Sequence, residues 1–176
     1  MQAYAAGDET AFRSLFGRWA PRVHAFLLRA LDDRGAAEDV LQATFFKVHR
    51  ARHAFRPDGL FRPWLFGIAT NAMRDERRRR VDTPVADLAD AAPEVAPAPE
   101  PIPLEASQRA RAVRRALDAL PPNQRAVLQL HRFEQLSFTE IGAALGISAG
   151  AAKLRAFRAY QTLRLTLSAL REEDVA

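Results

Sequence analysis

The sequence contains no cysteine. This absence excludes disulfide bonds, thiolate-bound metals and a cysteine nucleophile. No apolar run approaches the roughly 18 residues of a membrane-spanning helix, and the first residues lack the basic-then-apolar order of a signal peptide. Glycine-rich phosphate loops and nucleophile-elbow motifs are also missing. We therefore expect a cytoplasmic protein without membrane insertion, cofactor, small-molecule substrate or enzymatic activity.

The histidines do not form a metal-binding set. His49 and His53 lie four residues apart on a predicted helix, a spacing that can bring two imidazoles to one metal. No carboxylate or third histidine completes the set nearby, and His24 and His131 are distant in sequence. We predict no metal site.

Charge is present, but it is divided along the chain. Residues 1–80 have a net charge of +6, residues 81–106 of −6, and residues 107–176 of +5. Two separated basic segments indicate two contacts with a polyanion, most simply nucleic acid. An arginine-rich composition without a binding role is the alternative interpretation.

The acidic segment divides the protein. It holds six of the eleven prolines and no basic residue, so it has few ways to offset the entropy of ordering. The predicted fold is all-α, with two small helical domains joined by a flexible, Pro-rich acidic linker. The predicted boundaries are 1–80 for an N-terminal helical bundle, 81–106 for the linker, 107–170 for a helix-turn-helix domain and 171–176 for a tail.

Apolar residues at three-to-four spacing predict three helices in the first domain. Asp8 is a candidate cap for the first helix, which Pro21 should bend or divide. Asp32 or Asp33 should cap the second helix. The stretch "FRPDGLFRP" reads as a loop, and a third helix should run from about Pro63 into four consecutive arginines.

The second domain is predicted to contain a helix-turn-helix. A helix from about Leu104 to Leu120 precedes one with proline in its first turn. Ser137 and Glu140 have the spacing of a capping box, Gly146 suits a turn, and Ser148 can cap the last helix. A plain helical hairpin remains the alternative.

The last helix has two different faces. One face is predicted to pack inward, and comprises Ala152, Ala156, Ala159, Tyr160 and Leu163. The other is predicted to face outward, and comprises Lys153, Leu154, Phe157, Arg158 and Gln161. Cations and apolar groups together suit a DNA major groove, where they can meet phosphates or guanine and thymine methyls. Burial of Leu154 and Phe157 in the core is the alternative.

Four stretches, in this order, resemble the extracytoplasmic-function (group 4) sigma factors. They are "AGDETAFRSLFGRWAPRV", "AEDVLQATFFKVHR", "FRPWLFGIATNAMRDERRR" and "LDALPPNQRAVLQLHRFEQLSFTEIGAALGISAGAAKLRAFRAYQTLR". The resemblance implies binding to core RNA polymerase, recognition of −10 promoter DNA by the first domain and of −35 DNA by the second. An anti-sigma factor is a common further partner in that family.

The resemblance also implies three sets of contact residues. Those for core polymerase are Asp39, Gln42, Phe45 and Arg50. Those for −10 DNA are Phe55, Arg56, Asp58, Phe61, Arg62, Asn71, Arg74, Arg77 and Arg78. Those for −35 DNA are Ser148, Lys153, Leu154, Arg155, Phe157 and Arg158. Arg79 and Arg80 are further candidates for phosphate contacts.

Two positions depart from the family pattern. Ala43 stands where an acidic residue is usual, and Leu154 where a serine is usual. Two other functions stay open from the residues alone. One is a stand-alone operator-binding regulator that dimerises through its first domain, and the other is an RNA- or polymerase-binding adaptor.

Overall fold

Every regular element in the described parts of the chain is helical. The computed structural model describes residues 1–56, 58–82 and 104–173, with side chains for 1–56, 58–80 and 111–169. The elements are α1 (Gln2–Ala5), α2 (Glu9–Leu31), α3 (Arg34–Arg50), a 3-10 turn (Arg52–Ala54), α4 (Phe61–Asp82), α5 (Leu104–Asp118), α6 (Pro122–Arg132), α7 (Phe138–Leu145) and α8 (Ala149–Glu173). Most of the predicted linker, residues 83–103, and residues 174–176 of the tail lie outside the described residues, whereas residues 81–82 end α4 and residues 104–106 begin α5. Within those residues, no helix is both long and apolar enough to cross a membrane.

Two helices of the first domain, α2 and α3, begin at side-chain caps. Asp8 accepts hydrogen bonds from the amides of Thr10 and Ala11, as predicted for α2. Asp33 caps α3 through the amide of Ala36, whereas Asp32 ends α2 in the left-handed region at φ 52°. Pro21 lies inside one continuous α2, so the helix is not divided there.

The core of the first domain forms where α2, α3 and α4 meet. Phe26 and Phe66 are fully buried and pack edge to face, with ring centroids 5.4 Å apart. Val23, Val48 and Leu65 are likewise fully buried in this cluster. Val23 and Phe26 lie three residues apart on α2, the spacing expected of residues on one buried helix face.

Helix α1 was not predicted, and one aromatic residue anchors it. Tyr4 is buried, its ring lies 4.9 Å from that of Phe12, and its hydroxyl is hydrogen-bonded to Nδ1 of His49. Burial raises the pKa of the Tyr4 phenol. The contact engages one of the two histidines considered as metal ligands, and no metal-ligand cluster occurs among the described residues.

Caps and a glycine turn in the local sequence set the ends of the two helices of the helix-turn-helix. Ser137 and Glu140 complete the predicted capping box, and Ser137 lowers the pKa of the Glu140 carboxyl, mainly through its amide hydrogen bond. Gly146 turns the chain at φ 66°, a conformation that favours glycine. The Ser148 hydroxyl then accepts from the amide of Ala151, 3.1 Å away, at the start of α8.

The two domains pack directly against each other. Helix α7 lies on α4, and the end of α6 approaches α2. The hydrophobic cluster that contains Phe26 and Leu65 continues into Leu130 and Ile141 of the second domain. A shared core therefore joins elements that the sequence assigns to separate domains.

Asn in place of Asp33 is expected to reduce the acid sensitivity of the fold. The pKa of the Asp33 carboxyl is lowered, first by the Ala36 amide and then by Arg80, whose Nη1 lies 2.9 Å away. A lowered folded-state pKa stabilises the fold above the ordinary aspartate value of about 3.9, and this stabilisation is lost as pH falls through the folded value. Asparagine can still cap the helix, so the comparison isolates the charge. Urea unfolding at pH 7 and pH 3 gives the unfolding free energy that each protein loses in acid. We expect a smaller loss for Asp33→Asn than for the parent, and equal losses would contradict this role of Asp33.

Candidate nucleic-acid interface

An aromatic cluster supports the loop before α4. The ring of Phe55 lies 5.1 Å from Trp64 and 6.0 Å from Phe61, both in edge contacts. Arg56 and Asp58 pair with each other at 3.2 Å and are highly exposed, and the amide of Gly59 closes a turn on the carbonyl of Arg56. The loop therefore exposes polar side chains and is supported beneath by packed aromatic rings.

A cavity of about 370 Å³ opens between this loop and helix α7. Phe55, Gly59 and Trp64 line one side, while Thr139 and Ala143 of the second domain line the other. Arg62 is half-buried here, with Nη2 lying 3.7 Å from Glu140 and 3.4 Å from the carbonyl oxygen of Gln135. Part of the candidate −10 surface is thus held by the second domain.

The arginines at the end of α4 differ in whether they have partners within the protein. Arg79 pairs with Glu76 at 2.6 Å, and Arg80 pairs with both Glu76 and Asp33. Arg77 is half-buried, its guanidinium lies 3.5 Å from the carbonyl of Ala30, and desolvation lowers its pKa. These three arginines are committed to contacts within the protein.

The face predicted to read DNA has a different environment. Asn71, Arg74 and Arg78 are exposed on α4. Arg74 donates a long hydrogen bond to Asn71 at 3.4 Å. The pKa of Asp75 is lowered mainly by its hydrogen bond from Lys47, and the charge of Arg78 adds to this effect. Neither guanidinium has a carboxylate within ion-pair distance among the described residues, so both remain accessible to a phosphate or a base edge.

Helix α3 offers a second surface, and one of its predicted contact residues is buried. Asp39, Gln42 and Arg50 are exposed, but Phe45 is only 4% exposed and packs with Leu15. Phe45 belongs to the core because it points toward α2, so its ring is not accessible at the surface of this structure. Its neighbour Phe46 is 61% exposed instead.

Phe46 lines a cleft of about 780 Å³ between α3 and α4. Asp39 and Gln42 line the same cleft, and Lys47 bridges it to Asp75 at 2.8 Å. Phe46 was missed by the sequence reasoning, although its spacing of four from Gln42 and seven from Asp39 places all three on one helix face. Arg50 extends this face, with its guanidinium 5.9 Å from the Phe46 ring.

The outer face of α8 matches its prediction. Leu154 is 48% and Phe157 57% exposed, and Ser148, Lys153, Arg158 and Gln161 are also exposed. Arg155 is half-buried. The inner face is confirmed by the buried residues Ala152, Ala156 and Ala159, but the inward prediction for Tyr160 is wrong, since its side chain is 47% exposed.

Both parts of the chain match known family descriptions. Residues 15–83 match Sigma-70 region 2, and residues 110–163 match Sigma-70, region 4. RNA polymerase sigma factor CarQ of Myxococcus xanthus is 44% identical over 175 residues, which cover 98% of each chain. ECF RNA polymerase sigma factor SigE of Mycolicibacterium smegmatis is 37% identical over 91% of this chain and 64% of that protein.

Solved structures show the same arrangement of helices. A structure of CnrH in complex with the cytosolic domain of CnrY matches with a TM-score of 0.66 at 31% identity, covering 97% of this chain and 93% of that one. The sigma factor RpoE in complex with the anti-sigma factor NepR, from Bartonella quintana, matches with a TM-score of 0.70 at 23% identity. That match covers 90% of this chain and 97% of RpoE, and it indicates a shared fold.

Proposed function

This chain belongs to the extracytoplasmic-function sigma factors of the sigma-70 family, and we propose which of its surfaces binds each partner. Members of this family bind core RNA polymerase and direct transcription from specific promoters. Its first domain reads the −10 element and its helix-turn-helix reads the −35 element. We assign residues 1–80 to the first domain, 81–106 to the linker, 107–170 to the second domain and 171–176 to a tail. The chain acts in the cytoplasm beside the polymerase and is not itself a catalyst.

The α3 face binds core polymerase. Asp39 and Gln42 offer a carboxylate and an amide to a partner helix, and Phe46 supplies an exposed apolar anchor beside them. Arg50 contributes at the edge of this face through its position over Phe46.

The −10 element is bound by α4 together with the preceding loop. Arg74 and Arg78 reach phosphates or base edges, and Asn71 on the same face can contact a base. In the loop, a base displaced from the non-template strand stacks near Phe55, and Arg56 neutralises the strand beside it. Asp58 offers an acceptor to an exocyclic amine. Phe61 and Arg62 take part once α7 has moved away, whereas Arg77 acts through its contact with Ala30.

The −35 element is bound by α8 in the major groove. Lys153 and Arg158 contact phosphates or guanine, and Leu154 and Phe157 contact thymine methyl groups. Ser148 and Arg155 lie at the edge of this surface and hold the helix on the backbone. The observation that carries the proposal is the exposed mixture of basic and apolar side chains on this face, which has no role in the core.

An anti-sigma factor is a further partner in this proposal. The sigma factor RpoE has been solved in complex with the anti-sigma factor NepR. The likeness of the two folds supports a partner of the same class for this chain.

Transcription from a random promoter library tests the function directly. Purified chain is added to bacterial core polymerase and the library, and the transcripts are sequenced. We expect products only when the chain is present, with two enriched elements separated by a fixed spacer. A library without promoter-dependent products would contradict the proposal, and the enriched −35 bases would reveal what Leu154 selects.

Phe46→Ala is expected to weaken core binding by roughly tenfold while leaving stability within about 0.5 kcal/mol, because an exposed aromatic anchor is lost without a cavity. Phe45→Ala is the matched control, and should cost about 3 kcal/mol of unfolding free energy because that ring is buried. Fluorescence anisotropy with core polymerase and urea unfolding measure the two effects. Unchanged core binding in Phe46→Ala would remove this residue from the proposed surface.

A further inference from the structure

A cavity of about 520 Å³ lies where helices α2, α5 and α6 meet. None of the residues assigned above to polymerase or promoter contacts lines it. Its walls are largely apolar and include Leu28, Val113, Leu117 and Phe133. Small-molecule sites in proteins are typically cavities of about 300–1,000 Å³ with mainly apolar walls and a few polar groups, and they often lie between domains. The position and lining of this cavity fit that description.

The apolar walls are accessible to a ligand. Val113 is 45% exposed, Phe133 46% and Leu28 38%. Val113 and Leu117 stand four residues apart on α5, so they share one face of that helix. The guanidinium of Arg29 lies over the Phe133 ring, 4.4 Å from its centroid, yet nearly half of that residue stays exposed. An aromatic ligand can pack against this ring and bury the aliphatic side chains beside it.

The charged residues that line the cavity are all paired within the described parts of the chain. Each lies 3.0–3.6 Å from an oppositely charged side chain, and the pairs are Arg29–Glu134, Asp32–Arg114, Arg34–Glu38 and Asp118–Arg125. A charged ligand would have to displace a partner from one of these pairs, whereas an uncharged ligand leaves all of them intact. The electrostatics of the cavity therefore favour an uncharged molecule.

One buried polar group at the cavity lacks a partner. Gln129 of α6 is 3% exposed, and its Oε1 has no hydrogen-bond partner among the described residues. A buried acceptor without a donor is costly, and most such groups in folded proteins are paired. Because Gln129 lines the cavity, an N–H or O–H group of a bound molecule can supply the missing hydrogen bond.

We propose that this cavity is a binding site for a small, uncharged aromatic molecule that carries an N–H or O–H donor. The ring of the molecule packs against Phe133 and the aliphatic walls, and its donor bonds Oε1 of Gln129. The site lies apart from the surfaces assigned to polymerase and DNA, so it is a further function of the chain and does not rest on the proposed one.

Indole and 1-methylindole test this chemistry as a matched pair of probes. They share one ring system, but in 1-methylindole a methyl group replaces the N–H donor. Apolar burial alone would favour 1-methylindole, whereas the hydrogen bond to Gln129 should make indole bind roughly tenfold more tightly. For a ligand of about nine non-hydrogen atoms we expect a dissociation constant of about 1 mM for indole. Nuclear magnetic resonance titration of the full chain measures both constants, followed on the methyl groups of Leu28, Val113 and Leu117 and on the side-chain amide of Gln129.

Two substitutions separate the acceptor from the cavity. Gln129→Met keeps a similar side-chain volume and removes the acceptor, so indole should lose its advantage over 1-methylindole. Val113→Trp fills the cavity from an exposed position, so binding of both probes should fall at least roughly tenfold. Leu165→Trp is the matched control, because it adds the same side chain at an exposed position of α8 that does not line the cavity. Circular dichroism melting checks that each variant is folded.

Three results would overturn this site. Binding of 1-methylindole to the parent chain as tight as that of indole would exclude the hydrogen bond to Gln129. Equal binding of indole to Val113→Trp and Leu165→Trp, or a titration that shifts none of the named resonances, would exclude the cavity. The promoter-library experiment contains neither probe, so its failure would contradict the proposed function without bearing on this site.

Discussion

A chain with both Arg74→Ala and Arg78→Ala is expected to lose roughly 100-fold in initiation at its own promoters, because two contacts worth about 1–3 kcal/mol each are removed. Both side chains are exposed on one face of α4, and neither is held by an acidic partner among the described residues. Truncating them therefore removes DNA contacts without breaking an internal ion pair. Run-off transcription at saturating chain concentration measures the effect.

Core binding should stay unchanged in this variant, since the proposed core surface lies on α3. The matched control is Arg13→Ala with Arg18→Ala, which removes the same charge from exposed positions of α2 and should change initiation less than about threefold, as expected for screened surface charge. The single variants separate two kinds of contact. Loss of a phosphate contact lowers by about one the slope of the logarithm of the binding constant against the logarithm of salt concentration, and it affects all promoters. Loss of a base contact instead relaxes the preference at one position of the −10 element. Equal initiation by the double variant and its control would contradict the assignment of α4.

Phe66→Ala is expected to cost about 3–5 kcal/mol of unfolding free energy, a large share of the total for a small domain. Phe66 is fully buried, and its ring packs edge to face on Phe26 of α2. The cavity would lie where α2, α3 and α4 meet, so the first domain and its promoter contacts should fail together. Urea unfolding followed by circular dichroism measures the loss.

Phe157→Ala is the control for this substitution, because the same atoms are removed from a ring that is 57% exposed. It should leave stability within about 0.5 kcal/mol while weakening −35 binding. A cost below about 1 kcal/mol for Phe66→Ala would show that the core can collapse around the missing ring, contrary to the tight packing described.

Much of the fold could be predicted because its signals are local. Asp8, the pair Ser137 and Glu140, and Gly146 each act within one turn of their own position, and all were predicted correctly. The buried and exposed faces of α8 followed from helical spacing, apart from Tyr160.

The errors arose where the outcome depends on distant parts of the chain. Tyr4 is anchored by His49, and Arg80 is held by Asp33, at sequence separations of 45 and 47 residues. No periodicity encodes such pairs. Phe45 and Phe46 are chemically identical neighbours, and only the direction of α2 decides which of them is buried. The sequence therefore indicates the helix that carries the proposed core-binding surface, but it does not decide which of the two aromatic rings is exposed there.

The hydrophobic core that continues from Phe26 through Ile141 has a consequence for the lifetime of the protein. While the domains share it, neither can unfold without exposing apolar surface of the other, so the chain behaves as one cooperative unit. Proteolytic attack within either domain then depends on opening of the whole unit, which lengthens the lifetime of the folded chain.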